Sequence, residues 1–236
     1  GGPSLLRGLD PDKDQSYFLS RLGLPLLRRL VLPLGSLRKP EVRRQAAALG
    51  LPNAQRPESQ DACLPLEGDS FSETLRQRFN APARPGEVVD TAGKVLGQHQ
   101  GLHRFTIGQR KGLGVPLGHR AYVVELDPSL DRVVLSQDPD DLLSMGLLAE
   151  QARWLLQPPL DEAAGDPTLA QIRYRHRAAP ASVTVHPDGG VRVAFQTPQR
   201  AVTPGQAVVF YRGDRVLGAG WITSRIRQAA KVSEAG

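Results

Sequence analysis

The chain has 236 residues, 40% of them hydrophobic, with 24 glycines and 20 prolines, a composition that favours two or three small cores joined by turns over one long helical bundle. No apolar run approaches the roughly 20 residues a membrane span needs, and the opening GGPSLLRGLDPDKDQ lacks the basic-then-apolar layout of a secretory signal; a cytoplasmic protein with no membrane partner is expected. The net charge is +6 and Cys63 is the one cysteine, which excludes an intramolecular disulfide and a cysteine-rich metal site.

Residues 1–65 read as α/β. Asp10 or Asp12 predicts a capped helix running to about Leu22, with Tyr17, Phe18, Leu19 and Leu22 as its apolar contacts. LVLPLG (30–35) predicts a short strand ending in a turn. Pro40 sits where a first helical residue would, and EVRRQAAAL ends at Gly50, giving a helix with Val42, Ala46 and Leu49 as its buried stripe. A further short helix is expected over 70–79. The period then shifts to two: PGEVVDTAGKVLGQH predicts strand, turn at Thr91-Ala92-Gly93, and returning strand. GLHRFTIGQRKGLGVPLG is too rich in glycine for a helix and reads as loops over a strand at 104–107.

From Ala121 to about Arg225 the pattern is nearly all β. AYVVELDPSLDRVVLS reads as a hairpin, and AQIRYRH, SVTVHPDGGVRVAF and QAVVFYRGDRVLGAGWI continue it with turns at 187–190 and 212–214. Six or so short strands with tight turns suggest a small closed barrel. The expected class is α+β and multidomain: an α/β piece at 1–65, a small β-rich central domain at 66–117, a six-stranded-type antiparallel β-barrel at 118–227, and a frayed tail at 228–236.

Charge is unevenly spread. Residues 91–124 carry Lys94, Arg104, Arg110, Lys111 and Arg120 and no acid, whereas residues 125–166 carry ten acids against Arg132 and Arg153. Residues 167–213 are basic again, with Arg173, Arg175, Arg177, Arg192, Arg200 and Arg212 against Asp188. Two basic segments about an acidic one point to a face aimed at a polyanion. His99 and His103 have no clustered ligand types around them, so a structural or RNA-adjacent role is expected and no metal site.

Five strings resemble one family in order: LLRGLDPDKDQSYFL (5–19), LPLGSLRKPEVRRQAAALGLPNA (32–54), SQDAC (59–63), PGEVVDTAGKVLGQHQGLHRFTIGQRKGLG (85–114) and AVTPGQAVVFYRGDRVLGAGWI (201–222). They resemble the tRNA-specific 2-thiouridylases and cover nearly the whole chain. The resemblance implies an enzyme that moves a persulfide sulfur to C2 of the wobble uridine of tRNA after ATP, with Mg2+, has adenylated the C2 oxygen. It implies that Cys63 is the catalytic persulfide carrier. It also implies tRNA contacts at Lys13, Asp14 and Gln15, at Arg173 and Tyr174, and at Gln206. Arg110 and Lys111, basic residues set among glycines, join them as candidate tRNA contacts. For Asp14 a helix-capping role stands beside the RNA-reading one. The implied partners are the anticodon loop and stem of tRNA and a sulfur relay protein or cysteine desulfurase.

The sequence departs from the family in one respect. The Ser-Gly-Gly-x-Asp-Ser loop that wraps ATP phosphates is not found, since the only Gly-Gly pairs are 1–2 and 189–190. No motif here binds ATP, and a first cysteine is also missing. The expectation is the carboxy-terminal portion of such an enzyme, inactive alone. A subunit that works beside a separate ATP-binding chain, a non-catalytic tRNA-binding module, and a degenerate sulfur carrier are the alternatives.

Overall fold

The computed structural model describes residues 2–56, 83–156 and 167–227. Its helices are α1 (Ser16–Leu19), α2 (Leu24–Leu27) and α3 (Lys39–Ala48). The strands are β1 (Gly86–Asp90), β2 (Val95–His99), β3 (Tyr122–Asp127), β4 (Arg132–Ser136), β5 (Leu143–Trp154), β6 (Leu169–Gln171), β7 (Ala179–Val185), β8 (Val191–Arg200), β9 (Ala207–Arg212) and β10 (Arg215–Arg227). The chain divides into two compact units, Glu58–Leu143 and the combination of Gly1–Pro57 with Ser144–Gly236. The helix expected over 70–79 and the tail from 228 lie outside the described residues.

The unit made by residues 58–143 is built on a mixed sheet in the order β2-β1-β4-β3. The hairpin β1–β2 forms as its alternation predicts. The hairpin β3–β4 also forms, but it is not part of the barrel as expected: β4 pairs in parallel with β1, Val88 opposite Val133 and Val89 opposite Val134. A two-stranded ribbon is marginal alone, and this pairing lets Val88, Val123, Val133 and Leu135 share one core with Phe105, Leu113 and Ala121. The strand expected at 104–107 is absent; residues 102–104 form a 3-10 turn. Gly108, at φ +89, then lets the backbone swing so that its N–H donates to Val123 O and Val123 N–H donates to Gln109 O.

In the other unit a closed barrel runs β10-β5-β8-β7-β6-β9. Its interior is filled by Leu147, Ala170, Ile172, Val193, Phe195, Val208, Phe210, Leu217 and Ile222, among others. β5 was not anticipated, because LSMGLLAEQARW is made mostly of helix formers. The closure of the barrel overrides that preference. At Gly146 a side chain would meet Val193 O at 2.3 Å, so only glycine lets β5 lie this close to β8.

β9 explains how the amino-terminal stretch is held. Val208 and Phe210 point into the barrel, while Ala207, Val209 and Tyr211 point out and are buried under Leu5 and Tyr17. A strand covered on both faces reads as a continuous apolar run, which AVVFY is. Residues 5–7 also extend the β9–β10 turn: Val216 N–H donates to Leu5 O at 2.9 Å and Arg7 N–H to Asp214 O at 2.8 Å.

Three expectations for this stretch change. The helix expected to reach Leu22 contracts to Ser16–Leu19, because the Asp14 carboxylate accepts from both Gly8 N–H and Ser16 N–H and pins residues 8–14 as a loop. LVLPLG is not a strand; Gly35 N–H donates to Leu32 O and Leu9 N–H to Gly35 O, a turn with no second strand beside it. α3 starts and stops as expected, with Pro40 in its first turn and Gly50 at φ +68, but its stripe is not buried. Leu49 is 75% exposed.

Candidate nucleic-acid interface

The loop that carries Lys13, Asp14 and Gln15 is organised by Asp14. Oδ1 accepts from Gly8 N–H at 3.0 Å and Ser16 N–H at 2.9 Å, and Oδ2 accepts from the Ser16 hydroxyl at 2.8 Å. Arg7 lies 3.7 Å from the same carboxylate. With its acceptors engaged inward, Asp14 braces the loop; it does not cap α1, whose N-cap position is Gln15 with no side-chain cap. Gln15 is exposed, and Lys13 is half-buried beside it.

That loop is tied to the barrel by a chain of contacts. Arg7 stacks over the Tyr211 ring, 3.6 Å from its centroid, and its Nη2 donates to Gln171 Oε1 at 3.3 Å. Gln171 in turn donates to Arg173 O at 3.1 Å. On the surface side Gln15 Nε2 donates to the Tyr174 hydroxyl at 3.2 Å, and the Phe18 and Tyr174 rings sit 4.6 Å apart. Thus Gln15 meets Tyr174, 159 residues later in the chain, with Lys13 and Arg173 as their near neighbours in sequence. Sequence reasoning missed Arg7, Gln171 and Phe18, which hold this junction. The only signal was that Arg7 and Phe18 fall inside the string 5–19.

Arg173 is half-buried, with Nη1 donating to Arg200 O at 3.1 Å. His176 beside it is held below the usual imidazole range by burial and by the Arg173 charge, so it adds no cation of its own at neutral pH. Tyr17 anchors the segment from beneath: its hydroxyl donates to Ala207 O at 2.9 Å, and burial, then the neighbouring Tyr211, pushes its pKa up to about 12. Ala207 follows Gln206. Gln206 is exposed at the end of a turn in which its N–H donates to Thr203 O, with Pro204 and a left-handed Gly205 at the two central positions. Lys13, Gln15, Arg173, Tyr174 and Gln206 are therefore arranged about α1.

Arg110 and Lys111 are exposed in the other unit, on a turn where Gln109 accepts from Thr106 N–H and donates to Lys111 O. His99 is buried and structural: Nδ1 accepts from Gly101 N–H at 3.0 Å, which leaves Nε2 as the donor to Asp131 O at 2.9 Å. Cys63 lies outside the described residues.

The two features that could hold a phosphate of ATP, a Gly-Gly pair and a helix amino end, are otherwise placed among the described residues. Gly189-Gly190 lies in the β7–β8 turn, not between a strand and a helix. The exposed amino end of α3 is already taken by an anion, since Lys39 N–H donates to Asp10 Oδ2 at 2.8 Å. The adjoining cavity, about 1160 Å3, is lined by leucines such as Leu5, Leu9 and Leu32 and also by Arg7, Lys13, Arg38, Asp10 and Asp14. Nor do His, Cys, Asp and Glu cluster anywhere among the described residues as a metal site would require. No helix there is long and apolar enough to cross a membrane.

Comparison with known proteins follows the same division. Residues 1–66 match the model described as the tRNA methyl transferase HUP domain, 73–137 the tRNA methyl transferase PRC-barrel domain, and 144–222 the aminomethyltransferase beta-barrel domain. The tRNA-specific 2-thiouridylase MnmA 2 of Syntrophus aciditrophicus is 41% identical over 245 residues, covering 96% of this chain and 71% of that protein. The chain belongs to the tRNA-specific 2-thiouridylase family. Family members named tRNA-specific 2-thiouridylase MnmA from Geobacter metallireducens and Moorella thermoacetica are 44% and 46% identical, over 95% and 93% of this chain. The chain spans about three-fifths of the length of each, 60% in both cases.

Proposed function

We propose that this chain is the tRNA-holding and sulfur-bearing part of a tRNA 2-thiolation enzyme. The observation that carries the reading is the Gln15–Tyr174 hydrogen bond, which joins the segment that carries Lys13 to the one that carries Arg173. It joins cations for phosphate, an amide with donors and an acceptor, and an aromatic ring, the combination RNA recognition uses. Lys13, Arg173 and Gln206 contact the tRNA backbone; Gln15 and Tyr174 lie where an unpaired base of the anticodon loop is reached. Asp14 acts as a positioning residue through the loop it pins. Arg110 and Lys111 add a further phosphate contact from their own unit.

Cys63 carries the sulfur. Its thiolate is loaded by a donor such as a desulfurase or relay protein, and the terminal persulfide sulfur forms a bond to C2 of the wobble uridine as the activated oxygen leaves. The S–S bond then breaks by attack of a second thiol, leaving a disulfide. Cys63 is the only cysteine in the 236 residues, so that thiol is supplied from outside them. Activation by ATP and Mg2+ belongs to the family's reaction and is not assigned to residues described here. The reaction is cytoplasmic.

Incubation with a cysteine desulfurase and relay proteins, followed by intact mass, tests the sulfur step. A gain of one sulfur that disappears in Cys63→Ser supports it. Tight tRNA binding without that gain would reduce the chain to a binding module.

A further inference from the structure

The segment that begins at Lys13 does not stop at Tyr174. It crosses the outer ends of β6, β9 and β10 in turn, with Gln15 on Tyr174, Tyr17 on Ala207 O, and Arg21 on β10 and β5. Arg21 Nη1 donates to Gln151 O at 2.8 Å and Ala219 O at 3.2 Å, and its guanidinium lies over the Trp221 ring, 4.7 Å from the centroid. Trp221 is 40% exposed, on the outward-facing side of β10. Arg153, on β5, brings a second guanidinium to the same spot, where its Nη1 lies against Gly23.

Two features set this cluster apart from ordinary surface arginines. First, Arg21 is fixed at three points by carbonyls and a ring, so little rotamer entropy is left to lose on binding an anion. Second, neither guanidinium is paired with a carboxylate among the described residues. Glu150 stands opposite Trp221 in the β5–β10 ladder, yet it forms no ion pair with either arginine. Burial and the Arg153 charge both disfavour the protonated Arg21, which indicates a cation held near another cation without a counter-charge. An anion placed between the two relieves that repulsion.

We infer that Arg21, Arg153 and Trp221 form a second phosphodiester contact for RNA, at the far end of the α1 segment from Tyr174. This rests on the tRNA-holding reading of Lys13, Gln15, Arg173 and Tyr174 and lengthens that footprint across the barrel. Arg21 and Arg153 hold the phosphate; Trp221 sets the plane of Arg21 and leaves its exposed edge to the adjoining sugar or base. The continuous α1 segment fixes the distance between the two contacts, so one strand engages both in a defined register.

The test is binding of an unmodified transcript of a wobble-uridine tRNA to the whole chain across a salt series. Arg21→Gln and Arg153→Gln are each expected to weaken binding several-fold and to lower the salt slope by roughly 0.7–0.9. Among the described residues the Arg153 side chain makes no hydrogen bond, so Arg153→Gln decides the matter if Arg21→Gln fails to fold. The two tryptophans are Trp154 and Trp221; tRNA is expected to change the emission of the native chain, and Trp221→Phe to abolish most of that change. A loss of slope in Lys13→Ala and Arg173→Ala with none in Arg153→Gln overturns the second contact and leaves the first reading standing. A native chain that does not bind the transcript overturns both.

Discussion

Residues 5–22 and residues 30–51 are both rich in leucine, yet the first buries Leu5 and Tyr17 while leaving Leu6, Leu9 and Phe18 exposed, and the second buries none of its apolar side chains. Leu5 and Tyr17 are buried on the outer face of β9, where Tyr211 and Val209 meet them. Val31 is 81% exposed, and Leu30, Leu32, Leu34, Leu49 and Leu51 are exposed too. Local composition does not decide this difference. The first stretch has an apolar strand face to lie on; among the described residues the second has none. Hydrophobic burial rewards area removed from water, and a side chain without a partner surface gains nothing from being apolar.

The comparison is broken most severely at Tyr17. Tyr17→Ala is expected to cost about 3–5 kcal/mol of docking, read as loss of amide protection across 5–22, whereas Tyr17→Phe should lose only about 1 kcal/mol. If Tyr17→Ala leaves that protection intact, the stretch is held by something other than its contacts with β9. A smaller effect is expected from Arg7→Ala. It removes the stack on Tyr211 and the partner of Asp14, for about 1 kcal/mol after allowing for its partial exposure. A double-mutant cycle with Asp14→Asn should show coupling between the two.

Asp10 links the stretches, and pH sharpens its part. Its hydrogen bond from Lys39 N–H, opposed by desolvation but helped by the hydrogen bond from Asp12 N–H and the charges of Lys13 and Arg38, holds its pKa below the ordinary 3.8. A depressed carboxylate stabilises the folded form fully above 3.8 and loses that contribution as pH falls through the lower folded value. The first turn of α3 should therefore lose amide protection below pH 3.8 while residues 5–7 keep theirs, and Asp10→Asn should remove the pH dependence. The smallest change is expected at Leu49→Ser: within about 0.5 kcal/mol by denaturant midpoint. A larger loss would mean that the α3 stripe is covered in solution.

What the sequence made legible follows the same physics. Period-two alternation found β1 to β4 and most of the barrel, because those strands have one wet face and one dry one. It failed at β5, where Leu, Met, Ala and Glu favour helix and only closure against β8 and β10 dictates strand. It also misassigned β3–β4, since which sheet a hairpin joins depends on the parallel pairing with β1, a long-range choice that no local pattern encodes. Among candidate residues, Lys13, Gln15, Arg173 and Tyr174 came forward only through the family resemblance, and the contact of Gln15 with Tyr174 was not readable. That depends on Arg7, Gln171 and Tyr211, side chains whose partners lie far away in the chain. Asp14 was half-readable: a carboxylate ahead of Ser16 signals a local backbone partner, but it braces the loop between Gly8 and Ser16 while Gln15 holds the N-cap position with no side-chain cap.

Hydrogen exchange with and without an unmodified tRNA transcript tests the central claim most directly. Added protection at residues 13–15, 173–176 and 205–207, together with unchanged exchange at residues 30–51, is the result the account predicts. Protection confined to the bare stretch, or absent from the junction of Gln15 with Tyr174, would contradict it.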